Sequence, residues 1–194
     1  MFAIVIETTS PVFNMTDPER KQRRIPKAHT CTKLSMNEPN ISPPLEWSGA
    51  PEGTQGFALI MHSTEPVGSD EPWVHWVIWN LPTDLLELPE GIEHSKSLTN
   101  GASQGTNDKG AIGYLGPCPS VIVIGQEGIR SAGVFKKQDI EKYTFRIYAL
   151  DVELDLQTGA TKAELLAAME GHVLAGAVLV GERQGPTAFE KTKF

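Results

Sequence analysis

Runs of apolar residues along the chain predict three buried β-strands. Residues 57–61 are continuously apolar and of strand length, which is typical of a strand buried on both faces. Residues 73–81 are rich in aromatic and β-branched side chains and stop at Pro82, which predicts a strand with a defined end. Residues 143–150 place apolar side chains at alternate positions, beginning with Tyr143. These three segments are the frame of the predicted fold.

The strand predicted at 73–81 presents apolar side chains on both of its faces. A period of two places His75, Val77 and Trp79 on one face. The same period places Trp76 and Ile78 on the other. A strand that is apolar on both faces is expected at the centre of a β-sandwich.

One helix is predicted towards the carboxyl end of the chain. Thr161 and Glu164 have the spacing of a capping box, which marks the start of a helix. Apolar residues then recur at helical spacing, at Leu165, Leu166, Met169 and Val173. Residues 173–180 are apolar but are interrupted by Gly176, so this pattern leaves helix and strand open for the segment.

The composition supports one mostly β domain over residues 1–194. With 40% hydrophobic and 21% charged residues, the chain resembles a folded domain rather than a disordered one. Its length is typical of one domain. The 18 glycines and 14 prolines argue against a helical bundle, because both residue types interrupt helices.

Charge and motif content exclude several classes of function. The chain has 17 Lys and Arg against 24 Asp and Glu, so no basic surface for nucleic acid or anionic membranes is expected. No apolar run reaches the length of a membrane span or a signal peptide, and two cysteines make no disulfide framework. Phosphate-loop, dinucleotide and nucleophile-elbow motifs are absent, so no cofactor is predicted. These observations predict a cytoplasmic protein.

Candidate chemistry gathers where the first two strands are joined. Because neighbouring strands joined by a short loop usually run antiparallel, His62 and His75 are expected at the same end of the sheet. Ser63, Glu65 and Trp73 lie in or beside the connecting loop. Imidazole beside carboxylate suits acid–base chemistry or anion binding. The alternatives are a hydrogen-bonded structural histidine and core tryptophans. No His, Cys and Asp spacing indicates a metal site.

Several stretches, in chain order, resemble motifs of the phosphatidylethanolamine-binding protein family, in its Raf-kinase-inhibitor-like branch of bacteria, archaea and fungi. They are Ile25-Pro26 with His29-Thr30-Cys31, Ile41-Ser42-Pro43-Pro44-Leu45-Glu46-Trp47, Val74-His75-Trp76-Val77 with Asn80-Leu81-Pro82, Leu88-Pro89-Glu90-Gly91, Gly105-x-Asn107-Asp108, Gly113-Tyr114-x-Gly116-Pro117-Cys118-Pro119, Tyr148-Ala149-Leu150-Asp151 and Ala160-Thr161-Lys162-Ala163-Glu164-Leu165 to Gly171-His172. The resemblance implies an antiparallel β-sandwich with C-terminal helices and a small anion-binding pocket near one end.

The resemblance also implies which residues form that pocket. His75, the Gly116-Pro117 turn and Tyr143 match pocket elements of the family. Two elements depart from the family pattern: Ser63-Thr64-Glu65 stands where an Asp-Pro-Asp loop is usual, and Glu141-Lys142 stands where His-Arg is usual. Gly181-Glu182-Arg183 lacks the tyrosine that often follows the final glycine.

Residues 121–140 form an insertion relative to the family. Gly125, Gly128 and Gly133 would make the segment flexible, so it is interpreted either as a lid over the pocket or as a surface loop. In a closed lid, Arg130 would pair with a phosphate or carboxylate of the ligand. The candidate ligand-binding residues are His62, Ser63, Trp73, His75, Gly116, Pro117, Tyr143 and Arg130.

Two functions follow, and whether the chain is an enzyme stays open. The first is binding of a small anionic ligand that carries a carboxylate, anhydride or phosphate. The second is an enzyme on the same scaffold, similar to the family-like proteins of fungal maleidride biosynthesis, which couple maleic-anhydride units. In that case His75 or Glu65 would act as the base and Tyr143 as a hydrogen-bond donor. A protein partner and a homodimer are both left open.

Overall fold

The protein folds as two antiparallel β-sheets with one α-helix. The computed structural model describes residues 14–16, 24–30, 41–63, 71–117 and 140–184. The strands are β1 (Asn14–Thr16), β2 (Leu45–Ser48), β3 (Gly56–Ser63), β4 (Val74–Leu81), β5 (Glu87–Leu88), β6 (Ser103–Gln104), β7 (Ile140–Leu150) and β8 (Val173–Gln184). A 3-10 helix spans Lys27–His29, and the α-helix α1 spans Lys162–Ala168. The mostly β, antiparallel fold predicted from the sequence is confirmed.

The larger sheet has five strands in the order β6-β4-β3-β7-β8, and the smaller has the order β1-β2-β5. The three strands predicted from apolar runs, β4, β3 and β7, are therefore neighbours at the centre of the larger sheet. The ambiguous segment at 173–180 is part of strand β8, which pairs with β7 along almost its whole length. Val173, predicted to continue the helix, instead begins this strand.

The core between the two sheets is built from large apolar side chains. Leu45 and Trp47 of β2 and Leu88 of β5 are buried against Phe57, Leu59 and other residues of the larger sheet. Trp47 packs edge-on against Phe57, with ring centroids 5.6 Å apart. This packing makes the fold a sandwich, and we refer to this side of the larger sheet as the inner face.

Helix α1 covers the opposite side of the larger sheet, which we call the helix face. Its capping box is present: the Glu164 N–H donates to the Thr161 hydroxyl at 3.3 Å, and the Thr161 N–H donates to the Glu164 carboxylate at 2.7 Å. Leu165 and Met169 are buried against Ile60 of β3. The resemblance implied several C-terminal helices, whereas the described part of the chain contains this one α-helix.

Strand β4 carries a bulge at His75 that corrects the simple alternation predicted for it. Trp76 pairs with Met61 and Val74 pairs with His62, so His75 is an extra residue between two paired positions. Val74 and Val77 both lie in the core of the helix face, whereas Trp76 lies in the core of the inner face. The His75 ring contacts Tyr143 of the inner face. The period of two had predicted His75 on the same side as Val77 and Trp79. The structure instead places the His75 ring on the opposite side.

No helix in the described ranges is both long and apolar enough to cross a membrane.

Candidate functional site

The hairpin of β3 and β4 ends in a closed pair of hydrogen bonds between Ser63 and Trp73. The Ser63 N–H donates to the Trp73 carbonyl at 2.9 Å, and the Trp73 N–H donates to the Ser63 hydroxyl oxygen at 3.0 Å. Ser63 is buried and holds the hairpin together, whereas the Trp73 side chain is 39% exposed. Of the two predicted site residues, only Trp73 presents its side chain to solvent. Glu65 lies outside the described residues.

His75 is anchored twice to the segment before the Gly116-Pro117 turn. Its Nδ1 lies 2.7 Å from the Leu115 carbonyl oxygen, and its own carbonyl accepts the Leu115 N–H at 2.9 Å. A carbonyl can only accept, so Nδ1 carries the proton and Nε2 of the neutral ring has a free lone pair. The ring is almost fully buried, and this burial lowers the pKa of His75 to about 4. At neutral pH the imidazole is therefore uncharged.

Tyr143 packs against the His75 ring and is linked to an ion pair. The ring centroids are 5.1 Å apart and nearly perpendicular. The Tyr143 hydroxyl donates to Oε2 of Glu141 at 2.8 Å, and Nη1 of Arg183 donates to the same oxygen at 2.8 Å. Burial, followed by the charge of Glu141, raises the pKa of the Tyr143 hydroxyl. Because its one proton is directed at Glu141, Tyr143 has only lone pairs left for a ligand, whereas the sequence predicted a donor.

The sequence did not identify Glu141, Arg183 and Leu115 as site residues. Glu141 and Arg183 are directly opposed in the register of β7 and β8. The signal that could have found them is this pairing, which required residues 173–184 to be recognised as a strand. Both side chains are largely buried, so the pair places a neutral but strongly polar group beside the aromatic contact.

Gly116 and Pro117 are buried and directly follow Leu115 along the chain, so they lie beside the His75 anchor. The structure therefore brings together four predicted elements: His75, Tyr143, the Gly116-Pro117 turn and Ser63, which is paired with Tyr143 across β3 and β7. Arg130 and positions 121–139 of the insertion fall outside the part of the chain that the structure describes.

His62 projects to the helix face, not to the side of His75. It is paired with Thr144 and follows Ile60 by two residues, and Ile60 belongs to the core of the helix face. Its Nδ1 lies 3.0 Å from the Ser63 carbonyl, so Nδ1 donates there. Burial lowers the pKa of His62. The two histidines lie at the same end of the sheet, as expected, but their rings project from opposite faces.

No cluster of three His, Cys, Asp or Glu side chains that could hold a metal ion occurs among the described residues.

Comparison with known proteins identifies the family. The family model described as phosphatidylethanolamine-binding protein matches residues 16–184. A UPF0098 protein of Methanothermobacter thermautotrophicus is 41% identical over 158 residues, covering 81% of this chain and 89% of the relative. The UPF0098 protein YbhB of Escherichia coli is 31% identical over 157 residues, covering 79% of this chain and 88% of the relative. Archaeal and bacterial relatives fit the branch named from the sequence.

Two solved structures share the fold. The crystal structure of a phosphatidylethanolamine-binding protein homolog from Chlamydia trachomatis has a TM-score of 0.68 and 33% identity, and the match covers 92% of this chain and 97% of that one. The structure of Escherichia coli YbcL also has a TM-score of 0.68, at 23% identity, and supports the fold alone. From the family match and these relatives we conclude that the chain belongs to the phosphatidylethanolamine-binding protein family.

Proposed function

We propose that this protein binds a small anionic ligand, bearing a carboxylate, anhydride or phosphate, on the inner face beside His75 and Tyr143. The observation that carries the proposal is the buried His75 ring, fixed through Nδ1 so that Nε2 is left for a ligand. Membership of a family named for binding a phosphate-bearing lipid supports the same class of ligand. The Gly116-Pro117 turn follows the residue that anchors the ring and forms part of the same wall.

The charges of the described groups indicate how an anion would be held. Glu141 and Arg183 form an ion pair and cancel each other, and the neutral His75 presents an acceptor. A fully ionised ligand therefore needs a proton at Nε2, taken up with the ligand. A bound anion favours the charged imidazolium, because opposite charges in a poorly solvated site attract strongly. The proposal is therefore binding of an anion together with one proton.

Several predicted contributions stay proposals. A lid formed by residues 121–140, with Arg130 contacting the ligand, would supply the positive charge that the described wall lacks. Trp73, exposed near the hairpin end, is proposed to contact the ligand's apolar part. Ser63 supports the site by holding the hairpin, and His62 lies on the other side of the sheet.

The alternative, an enzyme of maleidride-type biosynthesis with His75 or Glu65 as the base, is not favoured by any observation on the described residues. The relatives above carry no enzymatic name. We therefore adopt the binding function as the proposed function.

Binding is tested by titrating sulfate, glycerol phosphate and maleate into the protein. His75→Asn is the matched variant, because the Asn amide can still donate to the Leu115 carbonyl but offers no group at the position of Nε2. His172→Asn, at an exposed histidine, is the control. The His75 ring signal is followed by proton–carbon NMR in the parent and the control, and calorimetry measures the affinity in all three proteins. We expect saturable binding and a raised melting temperature in the parent and the control, and a loss of about tenfold or more in affinity in His75→Asn. No saturable response to any of the three anions, or equal affinity in His75→Asn, would contradict the proposal.

A further inference from the structure

The helix face carries a cluster of three basic side chains close to the hairpin end. Arg146 of β7 pairs with Ile60, and His62 lies two residues beyond Ile60 on β3. Residues related in this way on adjacent antiparallel strands project from the same face, within reach of long side chains. Lys162 begins α1, the helix packed on this face through Leu165. The fold thus brings His62, Arg146 and Lys162 together from three different elements.

The three basic groups influence one another electrostatically. Burial is the main cause that lowers the pKa of Lys162, and the charge of Arg146 lowers it further. The pKa of His62 is likewise lowered by burial and then by the charges of Lys162 and Arg146. Each group therefore lies within electrostatic range of the other two. Like charges at such range, partly removed from water, destabilise the charged forms.

Two acidic groups lie within electrostatic range of Lys162. Asp108 and Glu71 attract Lys162, and both are exposed. The Asp108 carboxylate is already held by the Val74 N–H, which donates to Oδ2 at 2.7 Å. The Arg146 guanidinium lies beside the buried Tyr148 hydroxyl, forms no ion pair with any described residue, and has a buried Nε without a hydrogen-bond partner. An unpaired buried donor on a cation is unfavourable, which indicates that a group able to accept from it is missing.

We propose that His62, Arg146 and Lys162 form a second anion-binding site, on the helix face, for a small doubly charged oxyanion of the phosphate or sulfate type. The donors suit such a ligand. A guanidinium binds oxyanions through parallel N–H groups, and an ammonium adds a compact charge. Because Nδ1 of His62 is used by the Ser63 carbonyl, Nε2 becomes a third donor when the ring is protonated. This site is separated from the His75 pocket by the sheet itself.

The test uses sulfate as the probe and the His62 ring signal as the local reporter, with the exposed His172 ring as the reference for general effects of ionic strength. Arg146→Gln and Lys162→Gln each remove one charge from the cluster. Lys142→Gln removes the same charge from an exposed position on β7 and is the matched control. We expect a saturable shift of His62, weakened by about fivefold or more in both cluster variants and by less than about twofold in the control.

Two results would overturn the proposal: a His62 shift that stays linear and parallels that of His172, or equal sulfate affinity in the cluster variants and the control. If Arg146→Gln does not fold, Lys162→Gln decides, since Lys162 is only half-buried at the start of a helix. Parallel titrations with glycerol phosphate and inorganic phosphate separate the sources of the ligand. If glycerol phosphate binds as tightly as inorganic phosphate or more tightly, the ligand is a phosphomonoester. If it binds much more weakly, the ligand is a free oxyanion. His75→Asn leaves this site intact, so failure here is distinguishable from failure at the His75 pocket.

Discussion

The two sides of one sheet end differ in how their charges are balanced. On the inner face, the Glu141–Arg183 ion pair is complete and His75 is neutral, and the carboxylate of Asp108 also acts electrostatically on His75. On the helix face, Arg146 lacks an ion pair within the described ranges, and the carboxylates of Asp108 and Glu71 attract Lys162. The inner face can therefore accept an anion only with a proton, whereas the helix face holds a guanidinium, Arg146, that has no ion pair with a described residue and a buried Nε without a hydrogen-bond partner. Adjacent sites on one scaffold can thus require different chemistry of similar ligands.

The bulge in β4 explains why the rings of His62 and His75 project from different faces of the sheet. Without the extra residue, His75 would project with Val77 and Trp79 to the helix face and would add a fourth basic group there. The bulge turns the ring towards Tyr143 instead. A single inserted position therefore separates a neutral site from a charged one.

The largest effect is expected from removing the indole N–H of either Trp76 or Trp79, one on each face, which tests whether these two indoles differ in hydrogen bonding. Trp76 donates to the Gln104 side chain at 2.8 Å on the inner face, whereas Trp79 Nε1 on the helix face has no partner among the described residues. Both side chains are fully buried. Trp76→Phe strands the buried Gln104 oxygen and should lower the free energy of unfolding by about 3 kcal/mol. Trp79→Phe should lower the free energy of unfolding by about 1–2 kcal/mol less than Trp76→Phe does.

Urea denaturation of the two variants measures this difference directly. The comparison uses the same substitution at two equally buried sites, so each variant is the control for the other. Equal losses of stability, or a larger loss in Trp79→Phe, would contradict the difference in hydrogen bonding between Trp76 and Trp79.

A smaller effect is expected from Glu141→Gln, which breaks the charge balance of the inner face alone. Arg183 loses its ion pair with a carboxylate while both residues are largely buried, so stability should fall by about 1–3 kcal/mol. Removing the negative charge should also tighten sulfate binding at the His75 signal by about threefold or more. The His62 signal should respond as in the parent protein. A weaker response at His75, or a matching change at His62, would show that the two faces are not electrically distinct in the way described.

Local patterns in the sequence were sufficient to predict the central strands and the start of the helix. Apolar runs and alternation identified β3, β4 and β7, and the Thr161–Glu164 spacing identified the cap, because these signals depend on residues close in sequence. The segment at 173–180 was ambiguous because short apolar runs fit either structure, and its pairing with β7 shows that it is a strand. The bulge at His75 was missed because the register with β3, not any residue in β4, specifies it.

The candidate site was predicted in part for the same reason. His75, Tyr143 and the Gly116-Pro117 turn were identified through family resemblance, and the structure places them together. The Glu141–Arg183 pair joins residues that are 42 positions apart, and no local pattern links them. The donor role predicted for Tyr143 depends on where the hydroxyl proton goes, and in the structure the hydroxyl donates to the Glu141 carboxylate.

The central claim, that the inner face takes up an anion together with a proton on His75, is tested most directly by the pH dependence of sulfate affinity read at the His75 ring. Sulfate stays fully ionised between about pH 5 and about pH 8, so its own titration does not interfere. The folded-state pKa of His75 lies below the ordinary value of 6.5, so the neutral ring stabilises the fold above that value, and this stability is lost as the pH falls towards about 4. The measurement therefore stops at about pH 5.

An anion that raises the pKa of His75 from about 4 must bind more tightly as the pH falls. We predict that affinity at the His75 signal increases up to about tenfold per unit of falling pH, the limit for uptake of one proton. Calorimetric titration with sulfate, which follows binding without the ring signal, should show this pH-dependent component in the parent and its loss in His75→Asn. An affinity that changes by less than about twofold across the range, or the same dependence in His75→Asn, would contradict the claim.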